Sequence, residues 1–234
     1  MAVLAVLEPG PSAMAVELQR ETRVATGFSR IDIEGQADVT LRQGSSEGVT
    51  IEASAQALRQ IETDVHDRTL SISLTGQRHW WDWILGGGTT RSPRITIDFV
   101  RLDRIDAAGA VKFTADSLKG DDLRLDLAGA CSLRIADLQA NRLRLDGAGA
   151  IKADLAGKVA AQYVDLSGAG SYQAAGLASD SVVLRVSGAG KAFVNAASTL
   201  KVEVSGAGAV QYLGNPEVVK ELSGVATVRR RESP

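Results

Sequence analysis

The sequence predicts an all-β chain: a parallel β-helix, or solenoid, with coils of about twenty residues. Right-handed winding is the default for parallel crossovers. Three observations predict this class. An Ala–Gly pair recurs at near-constant spacing, apolar and polar residues alternate strictly on both sides of it, and the chain has 24 glycines but only five prolines and 4% aromatic residues.

The recurrence is the strongest of the three. Blocks begin at Ala107, Leu127, Gly147, Gly168, Gly188 and Gly206, at intervals of 20, 20, 21, 20 and 18 residues. Each has Ala second and Gly third, from Ala108-Gly109 to Ala207-Gly208. Two positions before each block the residue is aliphatic: Ile105, Leu125, Leu145, Leu166, Val186 and Val204. One position before it is small and polar: Asp106, Asp126, Asp146, Ser167, Ser187 and Ser205. Three positions before it is charged: Arg104, Arg124, Arg144, Asp165, Arg185 and Glu203. Period-two alternation of this kind marks a strand with one buried face.

A second strand follows each corner. Val111 and Phe113 alternate with Lys112 and Thr114; Cys131, Leu133 and Ile135 alternate with Ser132 and Arg134; Ile151 and Ala153 flank Lys152. Polar turns such as Gln139-Ala140-Asn141 close the blocks. Helix fails here because every corner places glycine in its interior. Antiparallel hairpins do not require the same corner in the same phase, whereas parallel stacked coils do, because each corner nests on the one below. One block buries too few aliphatic side chains to offset the entropy of ordering it, so stability comes from neighbouring coils.

Residues 21–105 are β-rich but less regular. Ile31 and Ile33, Val39 and Leu41, Val49 and Ile51, and Ile95 and Ile97 alternate with polar residues, and Ala55 to Ile61 reads as a short helical turn. No linker separates this part from the rest. It reads as wider coils continuous with the regular ones of residues 103–228, giving a single domain over 21–234, with a separate N-terminal β-domain as the alternative. Residues 1–20 read as a leader. Met1–Leu7 is apolar, Pro9-Gly10-Pro11 follows, and Ala13-Met14-Ala15 has the small-x-small form of a signal-peptidase site. No stretch approaches the ~20 apolar residues of a membrane-spanning helix.

A formal net charge of −2 argues against a nucleic-acid partner, and Arg229, Arg230 and Arg231 read as a solvated tail. The single cysteine, Cys131, excludes an intrachain disulfide and reads as a small buried hydrophobe.

Gly27-Phe28-Ser29-Arg30-Ile31, the Gly-Ala-Gly corners, and Tyr212-Leu213-Gly214-Asn215-Pro216-Glu217-Val218 followed by Ser223-Gly224 resemble the head GIN domain family, also known as DUF2807 and described as autotransporter adhesin heads. The resemblance spans roughly residues 21–231. It departs at Val225-Ala226, where the family carries another glycine-rich turn. It implies a bacterial exported or cell-envelope protein with a β-helical fold, and offers no catalytic residues.

Catalysis needs a constellation of groups. The sequence has two histidines, His66 and His79, and no Gly-x-Ser-x-Gly elbow, His-Glu-x-x-His pair, phosphate loop or paired-cysteine metal site. No catalytic, cofactor or metal residues are assigned. Two groups are candidates for ligand binding. Stacked coils would place Asp106, Asp126 and Asp146 about 4.8 Å apart on one outer face, beside Arg104, Arg124 and Arg144. These six residues read either as a solvated Arg/Asp ladder or as a face for divalent-cation or acidic-polysaccharide lyase chemistry. The other group is Trp80, Trp81 and Trp83, with His79, beside Gly86-Gly87-Gly88. Indole faces suit sugar rings and interfaces, and equally suit a plug over a solenoid end.

The leading function is a non-enzymatic envelope or secreted scaffold, an adhesion module for a glycan or an envelope protein. A β-helix polysaccharide lyase and a self-assembling structural protein, the latter through open strand edges, are the alternatives.

Overall fold

The computed structural model describes residues 18–74 and 92–232. It is all-β apart from one short helix. The elements in chain order are β1 (Leu18–Arg23), β2 (Arg30–Gln43), β3 (Gly48–Ser54), α1 (Ala55–Leu58), β4 (Ile61–His66), β5 (Thr69–Leu74), β6 (Arg94–Phe99), β7 (Arg104–Lys119), β8 (Asp122–Leu213) and β9 (Glu217–Arg230). All nine strands belong to one sheet, in the order β1-β3-β6-β2-β7-β8-β9, with β5 also beside β2 and β4 beside β5.

Parallel pairing links β2, β7, β8 and β9. Ile31 lies beside Ile105 and Ile105 beside Leu125, so these aliphatic residues form one inward column. Val39, Phe113 and Leu133 form another. All six are buried. The core is aliphatic, as the composition requires, with Phe28, Phe99, Phe113 and Tyr172 its aromatic members. The strand runs on through each corner of β8 and does not break there.

A column of glycines holds these strands in register. Gly35, Gly109, Gly129, Gly149, Gly168, Gly188, Gly206 and Gly224 all have φ between +97° and +123°. A Cβ on Gly149 would come within 3 Å of the carbonyl oxygen of Gly129, and the same holds for each glycine above the previous one. Glycine is required twice over: for the left-handed backbone and for the backbone approach.

This column corrects the block alignment. The Ala–Gly pairs align Gly149 with Gly170, but Gly168 is the residue stacked on Gly149. From Gly109 the true spacings are 20, 20, 19, 20, 18 and 18 residues. Gly170, Gly190 and Gly208 are not in the left-handed region. The last corner, where Val225-Ala226 departs from the expected turn, keeps its essential residue: Gly224 has φ +105°.

The N-terminal part departs from simple continuation of the coils. Chain order is not stacking order there, because β5 and β6 lie beneath β2 while β7 lies above it. β1 and β3, β3 and β6, and β4 and β5 pair antiparallel. The expected helical turn is present as α1, where the Ser54 hydroxyl accepts from the Ala57 N–H at 3.2 Å. The Arg23 guanidinium donates to the carbonyls of Leu58 and Ile61, so β1 closes over the helix end.

The sequence reading missed a polar island in the core. Gln162 is fully buried; its Oε1 accepts from the Tyr172 hydroxyl at 2.7 Å and its Nε2 donates to Ser179 Oγ at 2.7 Å. Ser179 in turn donates to the Asn195 carbonyl at 2.6 Å. Every member is satisfied, which makes burial of these groups tolerable.

The glycine column yields a stability prediction. Gly149→Ala should cost roughly 1–3 kcal/mol from its backbone conformation alone, and more from the carbonyl contact. Gly44→Ala, with nothing within 4 Å and no left-handed backbone, should be near neutral. Urea unfolding of both variants checks this; equal effects would contradict it.

Candidate functional site

The outer face just before the glycine column carries the charged residues singled out in the sequence. Asp106 and Asp126 are direct neighbours, and Asp32 stands beside Asp106. Asp146 follows, bridged to Asp126 through Arg124. The glycine register adds Asp165 to the same column. The sequence reading missed both additional acids. Asp32 lies in the irregular part, and alignment on Ala–Gly pairs had moved Asp165 into the arginine column.

Arginines weave through these acids. Arg104 Nε lies 2.7 Å from Asp106 and Nη2 2.8 Å from Asp126. Arg124 repeats the fork one layer on, 2.8 Å from Asp126 and 3.4 Å from Asp146, and Arg144 lies 2.8 Å from Asp146. Arg104 and Arg124 thus each span two layers, offsetting the repulsion of carboxylates stacked at strand spacing. The pattern continues toward β9 with other residues: Glu203 accepts from Arg185 at 2.9 Å and pairs with Lys201 at 2.7 Å. Those two partners hold the Glu203 carboxyl below its ordinary pKa. The carboxylates likewise raise the Arg104 and Arg144 guanidinium pKa values, because these guanidinium groups donate directly to Asp106 and Asp146.

Asp32 is the exception. Burial pushes its carboxyl pKa up, Asp106 and Glu34 add to the shift, and Arg104 opposes them. The five aspartates form one wall of a shallow groove of about 410 Å³. Ala108, Ala128, Ala148 and Ser167 line its other side. Small residues there keep the groove open along the stack.

Among the described residues, no three His, Cys, Asp or Glu side chains converge to hold a metal ion. Cys131 is buried, and burial raises its thiol pKa, opposite to the shift that activates a nucleophile. No helix among the described residues is long and apolar enough to cross a membrane. His79, Trp80, Trp81 and Trp83 lie outside the described residues.

Two predictions follow from the ladder. Arg124→Ala leaves Asp126 and Asp146 each short of a partner and should lower stability by up to ~1 kcal/mol at neutral pH and low salt. The loss should shrink in high salt. Asp32 has the opposite sign. A carboxyl with a raised folded pKa binds its proton more tightly in the folded state, so ionising it destabilises the fold as pH rises through that folded value. Asp32→Asn should therefore raise the melting temperature at pH 7 and leave it unchanged well below the ordinary value of 3.8. Calorimetry at low and high salt checks the first and calorimetry across pH the second; a destabilised Asp32→Asn at pH 7 would contradict the assignment.

A comparison with curated proteins finds no match. Solved structures give close likeness in fold. A crystal structure described as "a putative adhesin" from Bacteroides fragilis superposes with TM-score 0.84 at 22% identity, over 93% of this chain and 98% of that one. One described as "Putative lipid binding protein" from Parabacteroides distasonis gives 0.71 at 14% identity, over 92% and 96%. "A putative adhesin" from Parabacteroides merdae gives 0.66 at 21% identity, over 92% and 96%. The family profile DUF2807, "Putative auto-transporter adhesin, head GIN domain", matches residues 27–216. That match covers well over half of the sequence, and the chain belongs to this head GIN domain family.

Proposed function

We propose that this chain is a non-enzymatic adhesion module of the bacterial envelope or exterior, folded as a parallel β-solenoid of about twenty-residue coils. In this reading an export leader precedes a single domain, and because Leu18, Gln19 and Arg20 already pair with Ser54, Ala53 and Glu52 in the sheet, that domain starts at about residue 18 and not at the expected residue 21. The solenoid reading is supported by parallel pairing at offsets of 18 to 20 residues and by the left-handed glycine column. Adhesion is supported by the family and by relatives whose descriptions name adhesins and not enzymes. The observation that carries the binding reading is the continuous groove walled by Asp32, Asp106, Asp126, Asp146 and Asp165. It offers a long, regular, rigid surface for an extended glycan or a segment of an envelope protein. Trp80, Trp81 and Trp83 would add stacking surface for sugar rings.

Lyase chemistry is disfavoured at the three acids singled out in the sequence. Asp106, Asp126 and Asp146 are engaged by arginines. A free carboxylate base poised over a substrate is what β-helix lyase chemistry would require.

The test is a glycan and envelope-protein array probed with the folded chain, together with a turnover assay on acidic polysaccharides. Binding without turnover is expected, weakened about tenfold or more, or about 1.4 kcal/mol, by Trp81→Ala or Asp126→Ala. Turnover abolished by Asp126→Ala would overturn the adhesion reading. Binding unchanged in Trp81→Ala would remove the tryptophans from the surface.

A further inference from the structure

β9 is the last strand of the sheet, and its outer edge meets no other strand among the described residues. Its register against β8 runs from Thr199 beside Glu217 to Tyr212 beside Arg230. That register extends each core column by one layer. Val218 stands beside Leu200, Leu222 beside Val204, and Val228 beside Val210. Leu200, Val204 and Val210 are buried, whereas Leu222 in the final layer is 45% exposed.

Two positions of β9 break the pattern. Lys220 stands beside Val202, and Arg230 beside Tyr212. Earlier layers hold Ile31, Ile105 and Leu125 in the first of these columns and Leu41, Ala115 and Ile135 in the second. Both cations are exposed, and their column neighbours Val202 and Tyr212 carry no acid to pair with them. The opposite end of the sheet is also an edge strand, β1, which differs in pairing antiparallel and in being tied by Arg23 to the carbonyls of Leu58 and Ile61.

An edge strand with unpaired N–H and C=O groups over exposed aliphatic side chains invites a further strand, and inward-pointing charges are a known defence. An added strand would bury Lys220 and Arg230 in what had become core, without counter-charges. A second copy of this chain is the added strand most exposed to this cost, because every copy brings the same two cations to the joint when β9 edges meet.

We infer that Lys220 and Arg230 are gatekeepers that close the β9 edge to a second copy of the chain. The same parallel stacking that builds the protein is thereby stopped at its last layer and does not continue from copy to copy. This goes beyond the adhesion reading and does not depend on it.

Light scattering of the full chain across a micromolar concentration range tests the inference, with a Val225→Cys substitution on β9, whose wild-type side chain is 82% exposed, reporting contact by cross-linking. The otherwise unaltered chain should keep single-chain mass. K220L/R230L, with its β signal retained in circular dichroism, should at least double its mean mass with concentration and cross-link at position 225. K220E/R230E, which keeps charge at both positions, should stay single. Lys220→Met alone, a milder change that keeps Arg230, should move in the same direction as the leucine pair even if that pair fails to fold. The inference is overturned if the chain with both cations cross-links through β9, if K220E/R230E associates, or if folded leucine and methionine variants remain single.

Discussion

The structure depends on one constraint, the approach of backbone to backbone at the glycine column. Where a side chain would begin on Gly149, the carbonyl oxygen of Gly129 already stands, and the contact repeats from Gly35 to Gly224. Only glycine accepts both that approach and a φ near +110°. The corner therefore fixes how each layer sits on the last. Aliphatic columns fall into line on the inward side, and the Asp and Arg columns on the outward side. The ladder is a consequence of that register, since a guanidinium reaches two layers only when its acids are direct neighbours.

Electrostatics then decides what the outer face can carry. Aspartates repeated at strand spacing repel, and the chain interleaves arginines that each serve two of them. The pairs are part-exposed and individually weak; their effect is to keep an acidic groove compatible with a tight stack. At β9 the same economy of placement works in reverse. Lys220 and Arg230 sit where the pattern wants aliphatic residues, at the one layer where they can remain in water.

Much of this was legible in the sequence. Alternation around Leu123-Arg124-Leu125-Asp126 identified strands, their inward face and the neighbouring charged columns. The register was legible only in part, for a physical reason. In Gly168-Ala169-Gly170 either glycine preserves period-two alternation, and a slip of two residues leaves every aliphatic side chain inward. Backbone conformation separates the two, and it selects Gly168. That slip displaced Asp165 from the acid column. Asp32 was hidden because β2 pairs with β7 across a long stretch of intervening chain. The Gln162–Tyr172–Ser179 island was hidden because polar residues at inward positions become intelligible only when their partners are known.

Paired cysteines read the glycine register directly. In a Cys131→Ala background, Arg144→Cys with Tyr163→Cys places the two residues in one outer column at about 4.8 Å between strands, within disulfide reach. Arg144→Cys with Asp165→Cys is the pair the Ala–Gly alignment would favour, and the glycine register sets it diagonally at about 8 Å. Rapid oxidation of the first pair and resistance of the second is the predicted result. Ready closure of the second with failure of the first would contradict the glycine column as the element that sets the stack.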